Sequence, residues 1–415
     1  MKQPGTTLPA LDVRTTALDH VGPLLESVDP RRPLVFVRRN EGVAGIGEAL
    51  RLEFTGPHRV RDAARAWREV AASATVHDEV GVPGSGLVAF GSFAFDDRSS
   101  ATSVLVVPRI VLGRRDGRAF LTRVDGAELP APVPRRASGR VSLRPGALDE
   151  AAYADAVARA VRAIGDGRVS KVVLARDLVG QLPPEADLRV VAAALRTGYP
   201  DCATFAVDGL LGASPETLVR TERGEVTARV LAGSTARGVD DASDEEAALA
   251  LATSAKDLDE HAFALRSLLL SLEGHATDVV TGEQPFTLKL PNLWHLASDV
   301  RGRLVDGSSS LDLVEALHPT AAVAGTPTDA ALDLIRELEP VDRGSYAGPV
   351  GWVGADGDGE WAIALRCAHV SDSGEVRAFA GAGVVAASVP EREAAETAMK
   401  FRPVVEAFGR GGTGL

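Results

Sequence analysis

Cysteine is almost absent from this 415-residue chain. Cys202 and Cys367 stand far apart, which excludes a disulfide framework and any cysteine-based metal spacing. The histidines are scattered with no HxxxH pair, so zinc is not expected either. No apolar run approaches the roughly 18 residues that would suggest a membrane span. The opening MKQPGTTLPALDV lacks the apolar core of a signal peptide, so a cytoplasmic protein is expected, with no membrane partner. Positive charge is also short: 45 Lys and Arg against 57 Asp and Glu give a net charge of -12. That balance excludes the broad basic surface a nucleic acid would need. A small-molecule partner is expected, and an anionic one would have to be held by a local cationic cluster or a metal. What remains is an ordinary globular composition, 45% hydrophobic and 25% charged, with room for two domains or one large one and no fixed-period repeat.

Residues 33–123 alternate apolar and polar side chains between Gly and Asp turns (PLVFVRR, EALRLEFTG, GLVAFGSFAFD, ATSVLVVPRIVLGRRDGRAFLTRV), which predicts strands. One helix, Val60 to Val70, interrupts them. Residues 128–147 hold four prolines and four arginines and read as a surface connection. It divides the chain into a strand-rich N-terminal half, 1–140, and a catalytic region, 150–404. Beyond it, Tyr153, Val157, Val161 and Ile164 repeat at helical spacing and stop at Gly165-Asp166-Gly167. SKVVLARDLV and ATFAVDG read as strands, and EVTARVLAGS as a strand ending in a turn at Gly233-Ser234. Asp244 to about Leu272 lacks Gly and Pro and predicts a long helix or a bent pair. LPNLWHLASDVRGRL reads as a strand, SSLDLVEALHP and TDAALDLIRELEP as helices, and VGWVGADGDGEWAIALRCAHV as a hairpin turning near Asp358. The last segment, AGAGVVAASVPEREAAETAMK, is a strand end feeding a helix, with capping-box spacing between Ser388 and Glu391 and Pro390 in the first turn.

Two tempting motifs fail on context. Gly381-Ala382-Gly383-Val384-Val385-Ala386 matches a dinucleotide fingerprint, but too little chain follows for the parallel strands it requires. GADGDGEW imitates a calcium loop, yet Cys367 stands where the bidentate Glu belongs. The chemistry resides elsewhere. Lys171 shares a strand face with Val173 and Ala175; it is either an edge lysine guarding against aggregation or a desolvated amine able to act as a base. Glu216 follows Pro215 in a turn, where a carboxylate is usually solvated. Asp257 and Glu260 are three apart on one helix, and Glu393, Glu396 and Lys400 share a face of the last. If those helices pack together, four carboxylates form an oxygen-rich site suited to magnesium.

The order of SKVVLAR, LLGASPETLVR, LAGS, KDLDEH, LWHLAS, LHPTAAVAG, DRGSYAGPVGW, IALRCA and GAGVVAASVPEREAAETAMK resembles the chorismate-utilising enzymes over most of Ala151 to Arg402, and most of all the isochorismate synthases. The resemblance implies an α/β (α+β) fold like that of anthranilate synthase component I: one large unit of two stacked, mostly antiparallel sheets with helices outside. It implies magnesium-dependent isomerisation of chorismate, with Lys171 activating water for attack at C2 and Glu216 protonating the departing C4 hydroxyl. Glu260 and Glu396 become metal ligands, with Asp257 and Glu393 behind them. Gly233, Ser234, His295, Tyr346, Arg366, Gly381, Gly383 and Lys400 become substrate-binding residues. A monomer without a glutaminase subunit is expected. The alternative is a salicylate synthase, which adds pyruvate elimination; His318-Pro319-Thr320 looks more like the enzymes that stop at isochorismate. Lys171 argues against anthranilate synthases, and LAGS without lysine against aminodeoxychorismate synthases. A catalytically dead paralogue would have no need of a buried lysine. Leu258, where relatives usually have Arg, the tract Ala321–Gly325 and the pair Ala386-Ala387 depart from the family pattern.

Overall fold

Strands dominate a computed structural model of the protein, described here over residues 10–136, 140–183, 185–305 and 307–409. The opening residues Met1–Pro9, part of the segment read for a leader, lie outside that range. Thirteen strands form the first sheet, in the order β10 (Arg144–Pro145), β11 (Lys171–Gln181), β23 (Glu375–Val384), β22 (Cys367–Val370), β13 (Leu210–Ser214), β12 (Ala203–Val207), β2 (Leu34–Arg38), β3 (Glu41–Ile46), β8 (Ile110–Arg115), β9 (Arg118–Val124), β1 (Asp12–Leu18) and β5 (Thr75–Asp78), with β19 (Gly325–Thr326) alongside β11. Ten form the second: β16 (Ala276–Thr281), β18 (Leu293–Leu304), β15 (Glu225–Ala236), β14 (Thr217–Glu222), β21 (Gly359–Ile363), β20 (Pro349–Gly354), β6 (Val88–Ser92), β7 (Ser103–Val107) and β4 (Leu50–Phe54), with β17 (Phe286–Lys289) on β18. Among the described residues only β1 and β5 pair in parallel. Both sheets draw strands from before and after the proline-rich connection.

The helices are α1 (Leu24–Ser27), α2 (Arg59–Ser73), α3 (Glu150–Gly165), α4 (Leu188–Gly198), α5 (Asp241–Thr253), α6 (Ala255–Leu272), α7 (Ser310–Leu317), α8 (Thr328–Leu338) and α9 (Pro390–Phe408). Two cores follow from strand alternation. Phe36 and Phe205 of the first sheet meet Phe90, Trp352 and Trp361 of the second in the larger core. Their sequence neighbours Val35 and Ala206 point the other way, into a smaller core with Val191 and Leu195 of α4 and Phe401, Val404 and Phe408 of α9. Thus α9 is fixed against the sheet by its apolar stripe, which leaves its acidic face free to turn elsewhere.

Several local expectations are corrected. The capping box at Ser388 does not form: α9 starts after Val389 with no side-chain cap, and Ser388 Oγ instead accepts the Val385 N–H at 3.1 Å. Pro390 at the first position needs no N–H partner, so the helix begins one residue later than the serine could cap. The expected turn at Gly233-Ser234 is a bulge inside β15, which continues to Ala236 with Gly233 at φ +80°. Of the two readings of Asp244–Leu272 the bent pair holds; Ser254 ends α5 and caps α6 through the Asp257 N–H. Lys171 is no edge lysine, being wholly buried, and Glu216 is buried rather than solvated. Strand β1 and helix α4 were not anticipated.

The proline-rich connection is stapled down. Arg189 and Asp187, both buried, pair at 2.6 Å. Arg189 also donates to the carbonyls of Glu26, Val133 and Pro134, while Asp187 accepts the Arg136 N–H. Removing one member leaves the other charge buried and unpaired, so Asp187→Ala is expected to lose about 3–5 kcal/mol in urea unfolding. A loss below about 1 kcal/mol, as for an exposed pair, would contradict this.

Candidate active site

A cavity of about 510 Å³ opens where α6 and α9 meet β15 and β23. Thirteen of the fourteen residues singled out from the sequence line it: Glu216, Gly233, Ser234, Asp257, Glu260, His295, Tyr346, Arg366, Gly381, Gly383, Glu393, Glu396 and Lys400. Lys171 is the exception and stands one layer behind the wall. Alternation along β11 puts its side chain on the same face as Val173, which does line the cavity. Its Nζ lies 3.0 Å from Glu260 Oε1, and the geometry to any acceptor is too poor for a hydrogen bond. Gly383 is what permits this approach. A Cβ there would stand 2.5 Å from Glu260 Oε1 and 3.1 Å from Lys171 Cε.

Glu216 sits between β13 and β14. Burial pushes its carboxyl up to about 8, although Lys171, Arg366 and Lys400 pull the other way. At neutral pH it is therefore mostly protonated and able to donate. His295, from β18, is held in one tautomer. Arg366 donates to its Nε2 at 3.2 Å, and an arginine can only donate, so the proton lies on Nδ1 and is given to the Gly233 carbonyl at 3.3 Å. Burial, reinforced by Arg366 and Lys400, keeps this imidazole neutral. Tyr346 stacks on Phe379 with ring centroids 5.3 Å apart. Gly381 must be small because a Cβ would meet the Leu174 carbonyl at 2.8 Å.

The four helical carboxylates face one cavity as their spacing required, but each already has a partner. Lys400 Nζ reaches Glu396 Oε1 at 2.5 Å and donates to the Gly381 carbonyl, and Ser234 Oγ donates to Glu396 at 3.0 Å. Burial alone would raise Glu396, but Lys400 and Ser234 hold it below the usual carboxylate range. Glu393 pairs with Lys256 at 3.3 Å, and Ser254 donates to Asp257 at 2.5 Å. Burial raises both Asp257 and Glu393, and neighbouring carboxylates push them further up: Glu260 and Glu396 for Asp257, Glu396 for Glu393. Among the described residues no three His, Cys, Asp or Glu side chains converge into a ready-made metal cage. The donor set nonetheless fits magnesium: hard carboxylate oxygens from two helices facing one cavity, with space for substrate and water oxygens to finish the shell. Sequence reasoning missed Lys256 and Arg343, although both lie within blocks quoted above, next to Asp257 and three residues before Tyr346.

Comparison with known proteins identifies the family. The chorismate binding enzyme family matches residues 12–125 and 130–409. Isochorismate synthase DhbC of Bacillus subtilis is 41% identical over 273 residues, covering 62% of this chain and 67% of that protein. The structure of MenF, the menaquinone-specific isochorismate synthase from Escherichia coli, matches 97% of this chain and 95% of its own at 25% identity, with a TM-score of 0.80. Anthranilate synthase component I from Streptococcus pneumoniae, at 20% identity and a TM-score of 0.71 over 89% of this chain and 92% of that one, shares the fold. From the cavity and these matches together, the chain belongs to the chorismate-binding enzyme family.

Proposed function

We propose that the chain is an isochorismate synthase, converting chorismate to isochorismate. The observation that carries the reading is a wholly buried lysine standing directly behind the wall of a cavity that a second buried group, Glu216, lines. Exchange of a ring hydroxyl across a conjugated system needs a base for the incoming water and an acid for the outgoing hydroxyl. Lys171 takes a proton from water as its oxygen bonds to C2. The ring double bonds shift, the C4–O bond breaks, and Glu216 gives its proton so that the hydroxyl leaves as water. One water enters and one leaves, so the atoms balance as an isomerisation. His295, neutral and fixed in its tautomer, lines the cavity beside Arg366 and holds that guanidinium in place. Arg366 and Tyr346 suit the enolpyruvyl carboxylate, since a planar guanidinium pairs bidentately with such a group.

Glu260 and Glu396 would hold magnesium directly and Asp257 and Glu393 through water, the ion serving to clamp the ring carboxylate. Five cationic side chains and five acidic ones line the cavity. With Glu216 protonated and Arg343 already paired with Glu339, four cations face four carboxylates, so an anionic substrate is not repelled despite the chain's net charge of -12.

Chromatography of the products formed from chorismate with magnesium tests the reading. A chorismate–isochorismate mixture with little pyruvate is expected. Pyruvate released in step with chorismate loss, together with salicylate, would make the chain a salicylate synthase instead. A second expectation concerns pH. Glu216 donates only while protonated, so kcat/KM should fall as pH rises through about 8. Glu216→Gln should lose about two to four decades of rate. A profile flat to pH 10, or near-normal turnover in that variant, would remove Glu216 from the role of acid.

A further inference from the structure

Strand β11 carries Lys171 near the rim of its sheet, and its outer edge is covered only in patches. At one end β19 pairs with Lys171 and Val172, and the Ala324 carbonyl accepts the Val173 N–H at 2.8 Å. At the other, Gly146 N–H donates to the Asp177 carbonyl and β10 pairs with Leu178 and Val179. Between these, the Val173 carbonyl and the Ala175 N–H face no strand. Two side chains fill the gap. Arg343 Nη2 donates to the Val173 carbonyl at 2.7 Å, and Glu339 Oε1 accepts the Ala175 N–H at 2.8 Å. The same two side chains pair with each other, Nη2 to Oε1 at 2.5 Å and Nε to Oε2 at 2.9 Å. A buried ion pair thus replaces one missing rung of the ladder.

Arg343 reaches further. Its Nη1 donates to the Val323 carbonyl at 3.1 Å, inside the Leu317–Gly325 tract that borders the cavity. Its guanidinium lies 4.4 Å from the Phe95 ring centroid and 6.0 Å from that of Tyr346, and its carbonyl accepts the Tyr346 N–H at 3.1 Å. Four of its five N–H donors are spent on protein, so its work is on the wall rather than on a ligand.

We infer that Glu339 and Arg343 are a positioning pair, which sets the height of Lys171 at the cavity by completing the edge of β11 and locking it to Tyr346 and Val323. The effect on rate rests on the isochorismate synthase reading; the brace itself does not. A displacement of about 1 Å in a reacting group can cost roughly a hundredfold in rate. Lysine cannot reproduce the planar fork, whereas glutamine retains a carbonyl acceptor for Ala175.

Arg343→Lys and Glu339→Gln, compared with the unaltered protein, test this. In Arg343→Lys, kcat should drop about 10- to 100-fold with KM for chorismate within about threefold, and Glu339→Gln, which keeps the acceptor for Ala175 but loses the one for Arg343 Nε, should lower kcat in the same sense and by less. Amide hydrogen exchange gives a readout free of activity. The Ala175 amide should exchange at least about fivefold faster in Arg343→Lys, with its β23-facing neighbours Leu174 and Arg176 unchanged. An unchanged kcat in a folded Arg343→Lys, or a loss that appears in KM instead, would overturn the positioning role. Ala175 exchange equal to that of the unaltered protein would overturn the brace, even if that protein itself converts no chorismate, a result that would sink the functional reading alone.

Discussion

Holding an amine inside a sheet is the constraint from which the rest of this site follows. Lys171 has no exposed surface, and its charged form is costly there without a partner. Glu260 supplies that partner at 3.0 Å, which requires α6 to pack against β15 so that the Glu260 side chain reaches over Gly383 of β23. Gly383 must then be bare, because a side chain at that register position would occupy the space between the two. The bulge at Gly233 serves the same layout from the other side. It turns Ser234 toward Glu396 and leaves the Gly233 carbonyl to fix His295. Four elements are placed around one buried amine.

The remaining electrostatics are arranged so that few groups are left alone. Lys400 answers Glu396, Lys256 answers Glu393, and Ser254 answers Asp257. Glu216 is different in having no ionic partner in contact among the described residues, and burial therefore prevails over its three more distant cations. That contrast separates the roles: Glu396, held low by Lys400 and Ser234, suits a cation, whereas the isolated Glu216 keeps its proton and suits acid catalysis.

Most of the site was legible in the sequence because helical spacing is short-range. The offsets among Glu393, Glu396 and Lys400 needed only 3.6-residue periodicity, and alternation placed Lys171 beside Val173. What local pattern could not supply was burial. Glu216 in a Pro-Glu turn and Lys171 in a short strand look like surface residues until strands distant in sequence close over them. The same holds for Glu339 and Arg343. Pro340 separates them beyond the end of a helix, so nothing local marks them as a pair, and only the gap beside β11 gives them a purpose. The capping box expected at Ser388 that does not form and the bulge taken for a turn are local errors, where the backbone geometry rather than the residue type decides. The resemblance to chorismate-utilising enzymes identified the fold, which strand patterning alone left as two strand-rich halves.

Everything in the mechanism turns on water being the incoming nucleophile, activated by Lys171. Running the reaction in water enriched in oxygen-18 and analysing the isochorismate by mass spectrometry tests that directly. The account predicts one solvent-derived oxygen, located in the C2 hydroxyl, from the first turnover. Isochorismate formed with its original oxygen retained would mean that the hydroxyl migrates within the substrate, and neither a water-activating base nor a departing water would then be needed.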